Sequence, residues 1–256
     1  MKRKKSMINR DDVVERGVAL WDIHYPDQDD SCMSIVHQFV DDFNPDYFLL
    51  CGDQLDMASI SYYNRNKPKL VESKRLAEDY KGFQRDVLDK FDNILDDRCL
   101  RYFFIGNHEY RAERIIESDP QYEGFIEPEI NLDLSLYKVV PFNGFLTVGK
   151  MNFIHGIYIN KYNSNKHLSV YEDNVFYGHT HSNQVFTKLS PFLNLPRQAV
   201  NVGCLCNKNP SYMRSRPNSW VHQFLFWYMF DDGSFVYYTP IIINDKCFIN
   251  GKLYHA

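Results

Sequence analysis

Residues 18–24 read Val-Ala-Leu-Trp-Asp-Ile-His, a short apolar run that stops abruptly at an acidic residue. A run this short, followed by the polar, proline-containing stretch 24–30, is typical of a fully buried strand that feeds a loop. The arrangement recurs at 47–51, where Tyr-Phe-Leu-Leu-Cys precedes Gly-Asp-Gln, and at 102–105, where Tyr-Phe-Phe-Ile precedes Gly-Asn-His-Glu. Three buried runs that each end in polar side chains predict three parallel strands of one sheet.

Helical patterns separate these strands. From Ser31 onward, apolar side chains recur at helical spacing until Asn44-Pro45 ends the pattern, and the charged stretch from 69 to about 92 predicts one long helix. Strand, helix, strand, helix, strand is the order expected for parallel strands joined by crossover helices. The second half is mostly strand-like, and Asp232-Gly233 between two aromatic runs predicts a hairpin. We therefore expect an α/β protein with two sheets packed face to face and helices outside.

The length and composition bound the class of protein. The chain has 256 residues, of which 44% are hydrophobic and 24% are charged, which excludes a disordered chain. We expect a flexible basic tail at 1–10 and a single domain at 11–256, with helical insertions at about 57–97 and 115–136. The net charge of −4 excludes nucleic-acid binding by bulk positive charge, although a local basic patch is compatible with it.

The sequence also predicts the cellular setting. The longest apolar runs fall well short of the roughly 20 residues that a membrane helix needs, so we expect no membrane contact. The six cysteines form neither a zinc-binding pair nor a disulfide pattern. Reduced thiols in a cytoplasmic protein are therefore the expectation.

Five loops that follow strand-like runs carry side chains of the types that bind metal ions. In chain order they are Asp22-Ile23-His24, Gly52-Asp53-Gln54-Leu55-Asp56, Gly106-Asn107-His108-Glu109, Ile154-His155-Gly156 and Gly178-His179-Thr180-His181. The carboxyl ends of strands are where α/β sheets collect ligands, and the glycines let the backbone turn tightly. A single histidine at a strand end is usually structural, whereas five such loops in order predict a shared site.

This ordered set resembles the pattern of the calcineurin-like metallophosphoesterase superfamily, which is D-x-H, G-D-x-x-D, G-N-H-[DE], H and G-H-x-H. All five blocks stand intact between residue 18 and about residue 204. The resemblance implies a four-layer α/β/β/α sandwich of two mixed β-sheets flanked by helices. It also implies an enzyme that hydrolyses phosphate esters with the help of two divalent metal ions.

The resemblance assigns seven metal ligands in two sets that share one aspartate. The first set is Asp22, His24, Asp53 and His181, and the second is Asp53, Asn107, His155 and His179. A carboxylate suits the shared position because its two oxygens can each bind one cation. Mixed imidazole and carboxylate ligands favour manganese, with iron, zinc or nickel as alternatives. Two such ions about 3.5–4 Å apart activate water near neutral pH and offset the charge of the phosphoryl oxygens.

Three further residues of these blocks receive supporting roles. In the family the residue that matches His108 protonates or stabilises the leaving oxygen, which makes His108 the expected catalytic acid. Asp56 and Glu109 are expected to orient imidazoles or backbone around the ligands, with ordinary solvated carboxylates as the alternative.

Substrate choice must come from the segments between the blocks. The candidate substrate-binding residues are Arg111, Arg114, His167, Tyr212, Arg214 and Arg216. Basic groups interleaved with aromatic side chains suit single-stranded nucleic acid, so we expect a phosphodiesterase or nuclease acting on nucleic acid or a nucleotide. The alternatives are a phosphomonoesterase for phosphoproteins or small molecules, and a non-catalytic scaffold that retains the fold. The intact ligand blocks argue against the scaffold, and protein partners are left open.

Overall fold

The computed structural model describes residues 15–189, 195–210 and 213–256, so the predicted tail at 1–10 lies outside the described residues. The strands in these segments, in chain order, are β1 (Glu15–Leu20), β2 (Tyr47–Leu50), β3 (Leu100–Phe104), β4 (Tyr137–Val140), β5 (Leu146–Val148), β6 (Met151–Phe153), β7 (Val175–Tyr177), β8 (Asn183–Leu189), β9 (Pro196–Val202), β10 (Leu225–Met229), β11 (Phe235–Tyr238), β12 (Lys246–Ile249) and β13 (Lys252–His255). The α-helices are α1 (Asp30–Phe43), α2 (Leu76–Phe83), α3 (Asp89–Asp92), α4 (Arg111–Ser118), α5 (Pro128–Asn131) and α6 (Asn163–Tyr171). No described helix combines the length and the apolar character that crossing a membrane requires.

The first sheet contains six strands in the order β11-β10-β1-β2-β3-β4. Strands β1 to β3 pair in parallel, as the three apolar runs predict, and β4 also pairs in parallel beside β3, whereas β10 and β11 pair antiparallel on the other side of β1. The predicted hairpin at Asp232-Gly233 joins β10 to β11, and Gly233 adopts a positive φ of 74° in its turn. Side chains of β1 alternate in direction, so that Val18 and Leu20 face the helices while Ala19 faces the second sheet.

The second sheet contains five strands in the order β5-β6-β7-β9-β8. Strands β6, β7 and β9 are parallel, and β5 and β8 pair antiparallel at the two edges. A buried cluster lies between the two sheets, with Trp21, Leu49 and Phe104 contributed from the first sheet and Phe153 and Phe176 from the second. The sheets therefore pack face to face across an aromatic core.

Helices cover both outer faces. Ile35 and Phe39 of α1 pack on the outer face of the first sheet, together with Phe83 at the end of α2. Leu168 of α6 packs against Val175 and its neighbours on the outer face of the second sheet. These layers confirm the predicted fold class, a four-layer α/β/β/α sandwich of two mixed sheets flanked by helices.

The insertions differ in detail from the predicted helices. The single helix expected from 69 to about 92 is wrong at its start, because Arg75 is extended and α2 begins only at Leu76. A π-helical turn, Gln84–Leu88, joins α2 to α3. The segment before α2 contains three single-turn 3-10 helices, which are Ala58–Ile60, Tyr62–Asn64 and Pro68–Leu70. In the second insertion, the 3-10 turn Pro120–Tyr122 precedes α5.

Candidate metal centre

The five polar blocks follow strands of both sheets at their carboxyl ends. Asp22, Asp53 and Asn107 come two to three residues after β1, β2 and β3, and His155 and His179 come two residues after β6 and β7. Because the two sheets pack face to face, loops from these five strands meet at one edge of the sandwich. The structure brings all seven predicted ligand residues together there.

Five of these residues adopt a backbone conformation that is unusual for anything but glycine. Their φ angles lie between 52° and 68°, and they are Asp22, His24, Asp53, His179 and His181. A left-handed backbone costs a non-glycine residue about 1 kcal/mol or more, and such residues cluster at functional sites. The surrounding packing therefore holds the candidate ligands in place at the expense of backbone strain.

The glycines of the blocks make room for the ligands. A Cβ atom on Gly106 would lie 2.3 Å from the backbone nitrogen and from Oδ1 of Asp53. A Cβ atom on Gly178 would lie 2.3 Å from Oδ2 of Asp22. Gly52 and Gly156 turn the backbone as expected, with positive φ angles of 93° and 125°, whereas Gly106 and Gly178 allow backbone and carboxylate to approach closely.

The first set of predicted ligands surrounds a carboxylate oxygen that lacks a hydrogen-bond donor. Oδ1 of Asp22 lies 3.5 Å from Nε2 of His181 and 3.7 Å from Nε2 of His24, and these two nitrogens lie 3.1 Å apart. The other carboxylate oxygen, Oδ2, accepts a hydrogen bond from the backbone N–H of His179 at 2.7 Å. Oδ1 is buried without a hydrogen-bond partner, an arrangement that fits a cation.

The second set contains the amide oxygen predicted by sequence. Oδ1 of Asn107 lies 2.9 Å from Nε2 of His155, and Oδ2 of Asp53 lies 3.3 Å from the same nitrogen. Nδ1 of His155 lies 3.2 Å from the carbonyl oxygen of Cys51 and donates a hydrogen bond to it. A neutral imidazole carries one proton, so with that proton on Nδ1 the other nitrogen, Nε2, is free to bind a metal. A nitrogen of His179 falls within 4.8 Å of the ligand atoms of Asp53 and His155.

Asp53 lies between the two sets. Its Oδ2 is 3.3 Å from Nε2 of His155 on one side and 3.9 Å from Nε2 of His24 on the other. Oδ1 accepts a hydrogen bond from the backbone N–H of His108 at 2.9 Å, which fixes the plane of the carboxylate. This is the position that a ligand shared by two cations requires.

The charges of the site fit divalent cations. Burial disfavours the protonated, charged form of His155, but the nearby carboxylates, Asp53 foremost, favour that form more strongly. The pKa of His155 is therefore raised to about 9. Burial likewise opposes charge on His24, and the carboxylates of Asp22, Asp56 and Asp53 raise its pKa well above the usual range. Burial, with His155 nearby, lowers the pKa of His179 to about 4. Protons therefore offset the buried carboxylates, and a bound cation would displace them.

His108 lies at the rim of this cluster, held on both ring nitrogens. Its Nδ1 donates to the carbonyl oxygen of Asp56 at 2.8 Å and lies 3.3 Å from Oδ1 of the same residue. Its Nε2 accepts from the guanidinium of Arg111 at 2.9 Å and lies 3.8 Å from Oδ2 of Asp53. His24, Asp53 and His108 could also form a ligand set by distance alone. Nε2 of His108 faces the cationic guanidinium of Arg111, which would repel a metal ion. This contact therefore favours interaction of His108 with the substrate over metal binding.

Asp56 contacts the two histidines that flank it. Its Oδ1 lies 3.6 Å from Nδ1 of His24 and 3.3 Å from Nδ1 of His108. Burial raises the pKa of this carboxyl, but hydrogen bonds to the two imidazoles outweigh burial and hold the pKa far below its usual range. Lys74, which sequence reasoning missed, lies 3.8 Å from Oδ2 of Asp56. An ionised Asp56 can thus orient both rings.

Glu109 joins two of the ligand loops through its carboxylate. It is buried, and it accepts hydrogen bonds from the backbone N–H groups of Asp53 at 3.0 Å, Leu55 at 2.8 Å and Gly106 at 2.9 Å. Burial and the nearby Asp53 raise its pKa to about 7. Glu109 therefore contacts backbone rather than imidazole, which is one of the two roles expected from the sequence.

Replacing Glu109 by Ala should lower the free energy of unfolding by about 3 kcal/mol or more, because three buried N–H groups lose their acceptor at once. Denaturant titration followed by circular dichroism measures this change. Glu109→Gln should cost less, since its amide oxygen can still accept. Glu117→Ala, on the exposed side of α4, is the matched control and should change little. Equal stability of the Ala variant and the control would contradict the role given to Glu109.

The predicted substrate-binding residues divide into several groups. Arg111 contacts His108 and the carbonyl oxygen of Asp56, whereas Arg114 is exposed on α4. Arg214 and Arg216 are exposed on the segment 207–220, and Tyr212 lies outside the described residues.

The expected substrate contact of His167 is wrong. Its side chain is fully buried, its ring stacks on Tyr177 at 3.8 Å, and its Nδ1 lies 2.8 Å from the carbonyl oxygen of Asn163. His167 accepts a backbone hydrogen bond from Ile157 at 3.2 Å, which ties the loop after His155 to α6. A lysine-rich surrounding sequence suggested an exposed loop, but the helical spacing from 163 to 171 places this side chain inward.

Two neighbours of His181 gave no signal in the sequence. Sγ of Cys206 lies 3.7 Å from Nδ1 of His181, and the ring of Trp220 packs edge-on at 4.2 Å between ring centroids. Contacts across 25 and 39 positions of the chain depend on tertiary packing, so neither spacing nor periodicity could reveal them.

No family model matches the chain. No curated protein matches it either. Among solved structures, the chain is similar to Vps29 of Entamoeba histolytica, determined as a single mutant, with 10% identity, a TM-score of 0.45, and 93% and 95% of the two chains covered. It is similar to Vacuolar Protein Sorting 29 of Cryptosporidium parvum with 14% identity, a TM-score of 0.46, and 96% and 97% coverage. For Vps29 of Chaetomium thermophilum the values are 10%, 0.38, and 94% and 97%. These likenesses assign no activity to the chain.

Proposed function

We propose that this chain is a metal-dependent phosphoesterase of the calcineurin-like metallophosphoesterase superfamily, and that its substrate is a phosphodiester of nucleic acid or of a nucleotide. The proposal is supported chiefly by one observation, the position of Asp53 between two sets of ligand atoms at 3.3 and 3.9 Å. The unpartnered Oδ1 of Asp22 supports it further, because a buried carboxylate oxygen that faces two imidazoles lacks only a cation. The four-layer fold and the five ordered sequence blocks agree with it.

The donor set indicates which residues would hold which ion. Asp22, His24 and His181 would hold one cation, Asn107, His155 and His179 would hold the other, and Asp53 would be shared. Imidazole nitrogens mixed with carboxylate and amide oxygens favour manganese, with iron, zinc or nickel as alternatives. When bound, two divalent cations supply a water-derived nucleophile near neutral pH and charge relief at the phosphoryl group.

The chain's own residues provide substrate binding and proton transfer. Among the described residues no carboxylate pairs with the guanidinium of Arg111, so its donors are available to an anionic phosphoryl oxygen beside His108. Asp56 holds Nδ1 of His108, which leaves Nε2 as the atom that exchanges a proton with the leaving oxygen. Substrate binding would draw Arg111 toward the phosphoryl group and free Nε2 for that exchange.

The cysteines support the predicted cytoplasmic setting. All six are buried free thiols, at positions 32, 51, 99, 204, 206 and 247. Burial raises the pKa of most of these thiols, for example to about 12 at Cys99 and to about 11 at Cys247, which keeps them protonated and unreactive. Thiols of this kind suit a reducing compartment.

A basic segment whose two ends lie beside the candidate site supports nucleic acid as the substrate. The segment 207–220 starts next to Cys206 and ends at Trp220, and both of these side chains contact His181. Arg214 and Arg216 are exposed on it. A strand of nucleic acid whose reacting phosphate lies over the metal centre could place neighbouring phosphates against these two guanidinium groups.

Replacing Arg214 and Arg216 together by Gln should weaken binding of single-stranded DNA or RNA and should reduce the slope of log K against log salt by about 1.4, because two phosphate contacts are lost. Fluorescence anisotropy over a range of salt concentrations measures both quantities. Arg98→Gln removes an equally exposed arginine on another surface and serves as the control. An unchanged salt slope in the double variant would contradict nucleic-acid contact at this segment.

The proposed activity is tested by hydrolysis of bis-p-nitrophenyl phosphate and of p-nitrophenyl phosphate, with added Mn²⁺ and with EDTA. Preference for the diester, abolished by EDTA and restored by Mn²⁺, would support the phosphodiesterase. Preference for the monoester would overturn the diester assignment and favour a phosphomonoesterase. Failure to hydrolyse either compound with two metal ions bound would contradict catalysis and favour the scaffold.

A further inference from the structure

A cavity of about 380 Å³ adjoins the candidate metal centre on the side of the first insertion. On one side it is lined by Asn107, His108 and Arg111, which belong to the proposed catalytic machinery. Asp27 and Asp56 also line it, and the remaining lining comes from the segment 58–74, which carries the three 3-10 turns before α2. The cavity therefore adjoins the place where the phosphoryl group is proposed to react.

The wall of this cavity is anchored to the site by an ion pair. Nζ of Lys74 lies 3.1 Å from Oδ2 of Asp27 and 3.8 Å from Oδ2 of Asp56. Since Asp56 also contacts His108, the wall and the proposed catalytic acid share one partner. The end of the segment at Lys74 is thus tied to the loop that carries Asp56.

Two cations in the lining lack a carboxylate partner. Within the described part of the chain, neither Arg111 nor Lys67 pairs with an acidic side chain, whereas Lys74 is neutralised by Asp27 and Asp56. Arg111 is beside His108, and Lys67 belongs to the segment 58–74. A ligand that fills the cavity meets two cations without a carboxylate partner, so it should carry an anionic group besides the phosphoryl group that reacts.

The remaining lining is suited to a flat organic group. Tyr63, Leu70 and Ala58 provide apolar surface, and Asn64 and Ser61 provide polar atoms between them. Aromatic side chains of this kind stack on bases without regard to sequence. A volume of about 380 Å³ is near the lower end for small-molecule sites and suits one nucleotide.

We propose that this cavity binds the leaving group of the hydrolysis and that the leaving group is a mononucleotide. This inference rests on the proposed function, because it is His108, at the cavity mouth, that would protonate the leaving oxygen. In the reaction a water oxygen bonds to phosphorus and the bond from phosphorus to the leaving oxygen breaks. Nε2 of His108 carries no proton while it accepts from Arg111, so it would take up one hydrogen of that water and pass it to the leaving oxygen, and the other hydrogen stays on the product phosphate.

Binding of 5′-AMP, adenosine and inorganic phosphate to the protein in EDTA tests this proposal without catalysis. In calorimetry 5′-AMP should bind at least tenfold more tightly than either fragment, because it alone reaches both Lys67 and the apolar wall. Lys67→Gln should weaken 5′-AMP about tenfold, and Tyr63→Ala should weaken both 5′-AMP and adenosine. Lys69→Gln, an exposed lysine two positions away that does not line the cavity, should bind 5′-AMP like the wild type.

Several results would overturn the proposal. Equal affinity for 5′-AMP and adenosine would show that the site does not require an anionic group on its ligand. Unchanged 5′-AMP binding by both Lys67→Gln and Tyr63→Ala would show that the nucleotide binds elsewhere. Hydrolysis of bis-p-nitrophenyl phosphate by wild type and by Lys69→Gln separates this inference from the proposed function. Tight 5′-AMP binding without hydrolysis would contradict the phosphoesterase while leaving a nucleotide site, whereas hydrolysis without 5′-AMP binding would contradict the leaving-group cavity alone.

Discussion

Asp53→Asn should abolish phosphodiester hydrolysis and prevent binding of both divalent ions. The substitution keeps the shape of the side chain but leaves one oxygen and no negative charge between the two ligand sets. We expect activity to fall at least about 10⁴-fold, to the background rate, because both proposed functions of the ions are lost together. Metal content after dialysis against Mn²⁺, measured by inductively coupled plasma mass spectrometry, should fall from two ions per chain to none retained tightly.

Asp41→Asn is the matched control, since this aspartate is exposed on α1 and takes no part in the site. It should retain both metal ions and full activity. Circular dichroism of Asp53→Asn shows whether the fold survives the substitution. A folded Asp53→Asn protein that still binds two ions with wild-type affinity would contradict the shared position of this carboxylate.

His108→Ala should keep both metal ions and slow turnover by about 10²–10⁴-fold on substrates with poor leaving groups. The imidazole contacts Asp56 and Arg111 on its two nitrogens, and its backbone N–H, which the variant retains, is what contacts Asp53. The loss should be much smaller on bis-p-nitrophenyl phosphate, because nitrophenolate departs without a proton. Measurement of kcat with a dinucleotide and with the nitrophenyl diester, alongside metal content, tests this separation.

Metal content decides between the two roles that geometry allows for His108. As a ligand together with His24 and Asp53, His108 would be required for binding, and the variant would lose an ion. As a proton donor it would leave both ions in place. Loss of metal from folded His108→Ala would contradict the catalytic role, as would an equal rate loss on both substrates.

The sequence predicted the ligand loops because the signal there is local. Each block follows an apolar run, and the boundary between a buried strand and a polar loop is encoded within a few residues. For the same reason the parallel order of the first three strands, the hairpin at Asp232-Gly233 and the α1 boundaries could be predicted. Asp29 accepts a hydrogen bond from the backbone N–H of Cys32 at the start of α1, and Asn44 ends the helix in a left-handed conformation.

Features that depend on tertiary packing could not be predicted. Left-handed backbone at Asp22 and Asp53 is imposed by contacts from other strands, and nothing in either residue type requires it. Two of the three hydrogen bonds accepted by Glu109, from Asp53 and Leu55, depend on the approach of two loops that lie more than 50 positions apart. His167 is buried although Asn165 and Lys166 before it are polar, because a short helix turns only one face outward.

The first insertion shows the same limit. Its charged periodicity indicated helix, but its first part forms single 3-10 turns that line the cavity beside His108. Turns of this length give little periodic signal in the sequence. The role of Lys74 depends on its contacts with Asp27 and Asp56, which only the tertiary structure shows. Substrate specificity, which depends on such walls, is therefore the part of the function least accessible from sequence.

The central claim is that two metal ions share Asp53, and electron paramagnetic resonance of the Mn²⁺-loaded protein tests it most directly. Two manganese ions about 3.5–4 Å apart, joined through one carboxylate, should give a multiline spectrum of a spin-coupled pair once two equivalents are bound. Asp53→Asn should lose that signal. A six-line spectrum of isolated ions at two bound equivalents of wild-type protein would contradict the shared metal centre.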